Sequence, residues 1–192
     1  MNLDDDATLM CRVRDGDDDA FTLLFSRWKR PLVRFTVRFV GEPAKGEELA
    51  QDVFLKVYRA RERYEPRERF AAYLFRVATN HCLNEVRRGE YRQPRVGVDD
   101  LAHEPVDDRN PAADDMLHGA RLQEVVRAAV CKLPPNPRAA LLLLRDEGLG
   151  YEEIADALET SVSAVKSLLN RARRALLAEL APHLEQPTEA TP

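Results

Sequence analysis

Glycine is scarce, at eight in 192 residues, aromatic residues make up 7%, and there are three cysteines. Few glycines with abundant Ala, Leu, Glu and Arg lean towards helix throughout. Cys11, Cys82 and Cys131 are isolated from one another, which leaves neither a disulfide framework nor a Cys-x-x-Cys zinc site. The longest apolar run, Ala139 to Leu144, is about a third of what a membrane span needs. The start, MNLDDDATLM, is acidic where a secretory signal needs a basic start and an apolar stretch. Together these absences predict a soluble, cytoplasmic protein with no membrane insertion. His81, His103, His118 and His183 show no metal-ligand spacing, and there is no glycine-rich phosphate loop. Adjacent His81 and Cys82 point in different directions on a helix, so they make no nucleophile pair. The expectation is no catalytic residue, no metal, no cofactor and no enzyme. The chain is long enough for one or two small domains and too short for a large enzyme scaffold.

What is present is charge, unevenly spread. There are 29 Lys and Arg against 33 Asp and Glu, for a formal charge of −4. Residues 1–17 carry two Arg and five Asp, whereas residues 18–92 carry sixteen basic and eleven acidic residues. Residues 93–118 carry two Arg against seven acids, and residues 119–192 are close to balance, with nine basic and ten acidic. Local field matters more than the total, so an acidic sum does not exclude nucleic acid. Two basic regions stand out: 18–92, and the stretch Lys166 to Arg174, which contains no acid.

Gln93 to Met116 has the wrong composition for a packed element. It holds Pro94, Pro105, Pro111, Gly97 and the Asp pairs 99–100, 107–108 and 114–115. This reads as an acidic linker between two helical domains. The expected division is therefore a first domain at 1–92, a linker at 93–118, a second domain at 119–181 and a disordered tail at 182–192.

In the first domain, Asp18-Asp19-Ala20-Phe21 marks a helix start, because acid is favourable in a first turn. Breaks at Gly41-Glu42-Pro43 and Tyr64-Glu65-Pro66 leave helices near 18–40, 44–62 and 68–89, a compact bundle. On the second of these, Leu49, Val53, Val57 and Ala60 form a core stripe. Glu47, Glu48, Gln51, Phe54, Leu55 and Tyr58 fall on the other side. That second stripe is either covered by another helix of the bundle or serves as a docking face for a basic partner. On the third helix, Phe75, Ala78, Cys82 and Val86 can face the core. Tyr73, Arg76, Asn80 and Arg87 line another side, with Arg67, Arg69, Arg88 and Arg92 adding positive field. An aromatic, guanidiniums and an amide in a row can stack on an unpaired base, hold a phosphate and bond a base edge; each stacked base is worth about 1–3 kcal/mol. The plainer alternative is a solvated basic face.

The second domain reads as helices at 121–132, 137–146, 151–158 and 162–180. Leu133-Pro134-Pro135 and Gly148 are stops, and Glu159-Thr160-Ser161 is a bend with Ser161 as N-cap. Helix, three-residue turn and longer helix is the pattern of a helix-turn-helix. Val165, Leu169, Ala172 and Leu176 form the core stripe of the last helix. Lys166, Ser167, Asn170, Arg171 and Arg174 occupy the opposite face, suited to phosphates and major-groove edges.

These pieces resemble the extracytoplasmic-function (ECF) sigma factors of the sigma-70 family. GEELAQDVFLKVYRARERYEPRERFAAYLFRVATNHCLNEVRR is similar to their first domain, and LPPNPRAALLLLRDEGLGYEEIADALETSVSAVKSLLNRARRALL to their second. The resemblance implies an all-α fold of two small domains: a region 2 bundle and a region 4 helix-turn-helix domain, joined by a flexible acidic linker. It implies core RNA polymerase and promoter DNA, double-stranded and melted, as partners, and an anti-sigma factor as a further one. Glu48, Leu49, Gln51, Asp52, Phe54, Leu55 and Tyr58 fall where the family docks on polymerase. Tyr64, Arg67, Arg69, Tyr73, Arg76, Asn80 and Arg87 fall where it captures a flipped base of the minus-ten element. Ser161, Ser163, Lys166, Ser167, Asn170, Arg171 and Arg174 fall where it reads the minus-thirty-five element. The linker resembles the segment that threads towards the polymerase active-site cleft and RNA exit path.

Three positions depart from the family pattern. Tyr73 stands where Trp is usual, which preserves stacking. Glu159 stands where the turn commonly has Gly, and Leu168 where Arg is common. The rival reading is a conventional helix-turn-helix regulator that acts without polymerase, with Phe54 and Tyr58 as a dimer face. The surplus unpaired-base face and the linker argue against it.

Overall fold

A computed structural model describes residues 5–65, 69–92 and 123–184. The linker 93–118, residues 119–122, Arg67 and the tail from 185 onward lie outside the described residues. All regular structure among the described residues is helical.

The first unit holds α1 (Asp6–Arg14), α2 (Asp18–Val40), α3 (Pro43–Arg59), a single 3-10 turn at Arg61–Arg63, and α4 (Phe70–Arg92). Asp17 is the N-cap of α2, accepting the Ala20 amide at 3.0 Å. Gly41 ends α2 at φ 82°, a left-handed conformation that costs glycine little, and Pro43 opens α3 where its missing N–H is harmless. The Gly41-Glu42-Pro43 break thus acts as the sequence suggests. Helix α1 lies outside the sequence expectation, yet it buries Leu9, Met10 and Val13 in the core.

Helices α2 and α3 approach closely at Gly46. A Cβ there would sit 2.5 Å from the Val37 Cα, and the Gly46 carbonyl accepts the buried Thr36 hydroxyl at 2.8 Å. Phe35, Phe39, Leu49, Val53, Phe75, Ala78 and Cys82 fill the centre.

The second unit has a helix over residues 123–132 (α5), then α6 (Pro135–Arg145), α7 (Tyr151–Ala157) and α8 (Val162–Leu184). Helix α6 begins two residues before the expected Pro137, because Pro135 occupies its first turn and fixes φ there. Val165 and Ala172 of α8 are fully buried, as the wheel required, with Leu169 and Leu176 half-buried.

The two units are in contact. α7 packs on α4, and α6 packs on α2 and α4, so one apolar core runs through both. At their junction Arg138 is buried, 8% exposed. Its guanidinium donates to the carbonyls of Phe39 at 2.5 Å, Leu133 at 2.8 Å and Cys131, and lies over the Phe39 ring. Phe39 ends α2, while Cys131 and Leu133 end α5, so the cation sits at two helix C-termini, whose exposed carbonyls favour positive charge.

Candidate polymerase and nucleic-acid interfaces

The expected docking stripe on α3 divides into a buried part and an exposed part. Leu49 is in the core, and Phe54 is only 5% exposed, with Phe25 at 4.7 Å and Phe21 edge-on at 6.4 Å. Another helix does cover the second apolar stripe here, and α2 is that helix. Leu49 lies in the core, as its stripe required, and of the two readings of Phe54 the covered one holds. Tyr58 is half-buried, its ring 4.9 Å from Phe21, its hydroxyl donating to Asp18 at 2.9 Å and Arg61 lying over its face. What remains open is Glu48, Gln51, half-exposed Asp52, and Leu55 at 52% exposure. They lie at i, i+3, i+4 and i+7, one continuous strip.

Beside this strip the α2–α3 pair forms a groove of about 500 Å³. Val33, Val37, Ala50 and Phe54 supply its apolar lining, and Lys29, Arg30 and Arg34 its positive charge. The α2 residues are the part that sequence reasoning missed; Phe25, Lys29 and Val33, at i, i+4 and i+8, were the available signal. On the far side of the strip, His81 Nε2 lies 3.1 Å from Asp52, and Lys56 lies against His81 Nδ1 at 2.5 Å.

The face of α4 expected to take an unpaired base is occupied rather than open. Tyr64 and Tyr73 are 3% and 8% exposed and meet edge-on at 5.2 Å, with Phe70 against both. Tyr73 was expected to offer stacking surface; in this structure it and Tyr64 belong to an aromatic cluster. Arg76 lies over the Tyr73 ring at 5.5 Å. Arg69 donates to Glu153 at 2.8 Å and Asn80 to Glu159 at 3.2 Å, both acceptors belonging to the second unit. Arg87 is exposed. Arg67 lies outside the described residues.

The face of α8 is open along its length. Ser161, Ser163, Lys166, Ser167, Asn170, Arg171 and Arg174 are all exposed. Ser161 caps the helix by accepting the Ala164 amide at 3.2 Å, as expected from sequence. The preceding turn puts Glu159 at φ 49°, the left-handed region in which a side chain is strained. The Thr160 amide reaches back to the Ala155 carbonyl at 2.9 Å, the closure that makes helices end this way. Half-buried Leu168 sits beside the core stripe and adds no charge to the face.

Burial dominates the chemistry of Cys82: enclosed in the first unit, with Lys56 pulling against it and Glu85 adding to it, its thiol is pushed up to about 12. No group of His, Cys, Asp and Glu among the described residues could hold a metal ion, and none of their helices is long and apolar enough to cross a membrane.

A helical bundle joined to a helix-turn-helix with an open basic and amide face defines a two-unit DNA-binding protein. Family comparison makes that class specific. Residues 24–92 match Sigma-70 region 2, and residues 123–176 match Sigma-70, region 4. The chain is 32% identical over 186 residues to the RNA polymerase sigma-H factor of Pseudomonas aeruginosa, covering 94% of this chain and 96% of that protein. It is 30% identical over 178 residues to the ECF RNA polymerase sigma-E factor of Escherichia coli, covering 89% and 92%. Identity to the ECF RNA polymerase sigma factor SigE of Mycolicibacterium smegmatis is 34% over 157 residues, 82% of this chain and 60% of that one. Among solved structures, CnrH in complex with the cytosolic domain of CnrY is similar at a TM-score of 0.67 and 25% identity, over 92% of this chain and 97% of that one. The fold is also that of RpoE of Bartonella quintana, solved with the anti-sigma factor NepR: TM-score 0.63, 22% identity, 84% and 96% coverage. This chain belongs to the ECF sigma factors, the RNA polymerase subunits that direct promoter recognition.

Proposed function

We propose that this chain acts in the cytoplasm, performs no bond chemistry of its own, and divides the work of initiation among three faces. A domain at 1–92 docks on core polymerase through Glu48, Gln51, Asp52, Leu55 and Tyr58, with Leu49 and Phe54 as the packed support beneath. The same domain holds melted minus-ten DNA through Arg67, Arg69, Arg76, Asn80 and Arg87, with the buried Tyr64 and Tyr73 as the aromatic support behind them. A linker at 93–118 connects it to a domain at 119–181, which reads the minus-thirty-five duplex through Ser161, Ser163, Lys166, Ser167, Asn170, Arg171 and Arg174. A tail at 182–192 follows. Melting is driven by binding: unstacking costs a few kcal/mol, offset by stacking and pocket contacts.

The observation that carries the reading is the α8 face, where every recognition residue is exposed around a fully buried Val165 and Ala172. Lys166 and Arg174 suit phosphates; Ser167, Asn170 and Arg171 suit base edges. Arg171→Ala should weaken upstream recognition by about 1–3 kcal/mol. A promoter footprint unchanged by that substitution would reject the role. An anti-sigma factor is a fitting further partner, since CnrH was solved with CnrY and RpoE with NepR.

A further inference from the structure

His81 belongs to none of the three faces, yet both nitrogens of its ring touch the docking strip of α3. Its side chain, carried by α4, is 11% exposed. Nε2 lies 3.1 Å from Asp52, and Nδ1 lies 2.5 Å from the Lys56 ammonium. The partners fix the tautomer. An ammonium only donates, so Nδ1 accepts from Lys56; an ionised carboxylate only accepts, so Nε2 carries the proton that goes to Asp52. One neutral imidazole therefore holds two α3 residues at i and i+4, the acid of the strip and the lysine beside it.

The remaining charge around the ring comes from the same two helices. Glu85, a turn further along α4, faces His81 and is bound by Lys45 of α3 at 3.1 Å. Lys45 holds the Glu85 carboxyl below the ordinary carboxylate range, with smaller help from Arg88 and His81, and it also meets Glu48 of the strip at 3.1 Å. Lys45 is thus tied to two carboxylates, whereas Lys56 is tied to the lone pair of an imidazole.

That lone pair is what acid removes. Imidazole is the side chain that changes charge between about pH 5 and 8. A second proton on the ring occupies Nδ1, so the bond from Lys56 is lost and two cations face each other. Lys56 is exposed and can swing away into solvent beside Asp52 and Leu55. The strip carries Glu48 and Asp52, which suit a basic partner. An ammonium released next to that partner, and an imidazolium against Asp52, both oppose docking.

We propose that His81 is a positioning residue for polymerase docking. Neutral, it holds Asp52 in the strip and keeps Lys56 away from a basic partner; protonated, it releases Lys56 and weakens the contact. By linkage, polymerase prefers the form with one proton fewer, so affinity falls as pH falls. The inference rests on the assignment of the α3 strip to core polymerase.

The test measures binding of the full-length protein to immobilised core polymerase at about pH 6 and about pH 8, on either side of the ordinary imidazole transition. Wild type is compared with His81→Gln, which can still donate to Asp52 but takes no charge, and with Lys56→Gln, which lacks the cation to be released. Titrating groups of the polymerase act equally on all three proteins, so the differences between their acid losses are the readout. Wild type should lose about threefold more affinity on acidification than His81→Gln, the size that an exposed charge contact supports. Lys56→Gln should lie closer to His81→Gln than to wild type. Equal acid losses in wild type and His81→Gln, the mark of a merely structural role, overturn the proposal. A Lys56→Gln protein that keeps the full wild-type loss also overturns it. Circular dichroism checks folding at both pH values, and Lys56→Gln, at an exposed position, keeps the test decisive if His81→Gln unfolds. Failure of the underlying assignment shows separately, as a Leu55→Asp protein that binds core polymerase as wild type does.

Discussion

Glu159 is where the sequence and the backbone disagree most openly. Its φ of 49° follows from the three-residue turn that must reverse the chain before Ser161 can cap α8. Comparing Glu159→Gly with Glu159→Ala isolates that strain, because both lose the Asn80 bond. The glycine variant should be more stable by about 1 kcal/mol in urea unfolding; equal stability would mean the turn relaxes without cost. Cys82 gives a second residue-level expectation. With its thiol pushed up to about 12, it should resist thiol reagents at neutral and mildly alkaline pH, while half-buried Cys11 and Cys131 react first. Rapid labelling of Cys82 in the folded protein would contradict its enclosure.

At the scale of elements, most of the architecture was legible because capping and breaking residues are local. Asp18-Asp19, Gly41-Glu42-Pro43 and Ser161 each did what their chemistry dictates. Helix α1 was not legible, because its nine residues offer only Leu9, Met10 and Val13 as an apolar stripe, behind a start that reads as an acidic tail. The burial of Leu49 was legible from its stripe, that of Phe54 only as one of two alternatives. A wheel of α3 identifies two apolar stripes but cannot tell which one α2 will cover. Phe21 and Phe25 decide that, and they lie on a different helix.

Gly46 tests the α2–α3 contact directly. Gly46→Ala places a methyl against the Val37 backbone and should destabilise the first unit by at least about 1–3 kcal/mol, read by thermal or urea unfolding. No loss would mean the two helices can slide apart freely. Asp17→Ala should lower the melting temperature with a defined pH dependence. The Ala20 amide, and after it the Arg12 side chain, hold the Asp17 carboxyl below its ordinary 3.8. A depressed carboxyl stabilises the fold above that value and loses its effect as pH falls through the folded value. The difference between wild type and Asp17→Ala should therefore be full at neutral pH and vanish in strong acid.

At the scale of the molecule, the arrangement of the two units could not be read from the sequence. Arg138 looks like one more basic residue in an apolar stretch, and only the fold shows it seated on the carbonyl ends of α2 and α5. Burial pushes its guanidinium below the ordinary arginine value, against a smaller opposing pull from Cys131. Arg138→Leu strips the donors from the Phe39, Cys131 and Leu133 carbonyls. It should cost at least about 2 kcal/mol in urea unfolding, since each buried carbonyl left unpaired costs about 1–3 kcal/mol. A neutral result would show that the units do not depend on this seat. The three candidate faces follow as residue sets from charge and helical period. Their state does not: α8 is open and α4 is engaged only because α7 lies against it.

The most direct measurement of the central claim is transcription in a reconstituted system of core polymerase, this protein and a pool of genomic fragments, with start sites mapped. Discrete start sites that require both proteins, and that share an upstream and a downstream element, are the predicted result. No start sites, together with tight binding of this protein alone to specific duplex DNA, would contradict it.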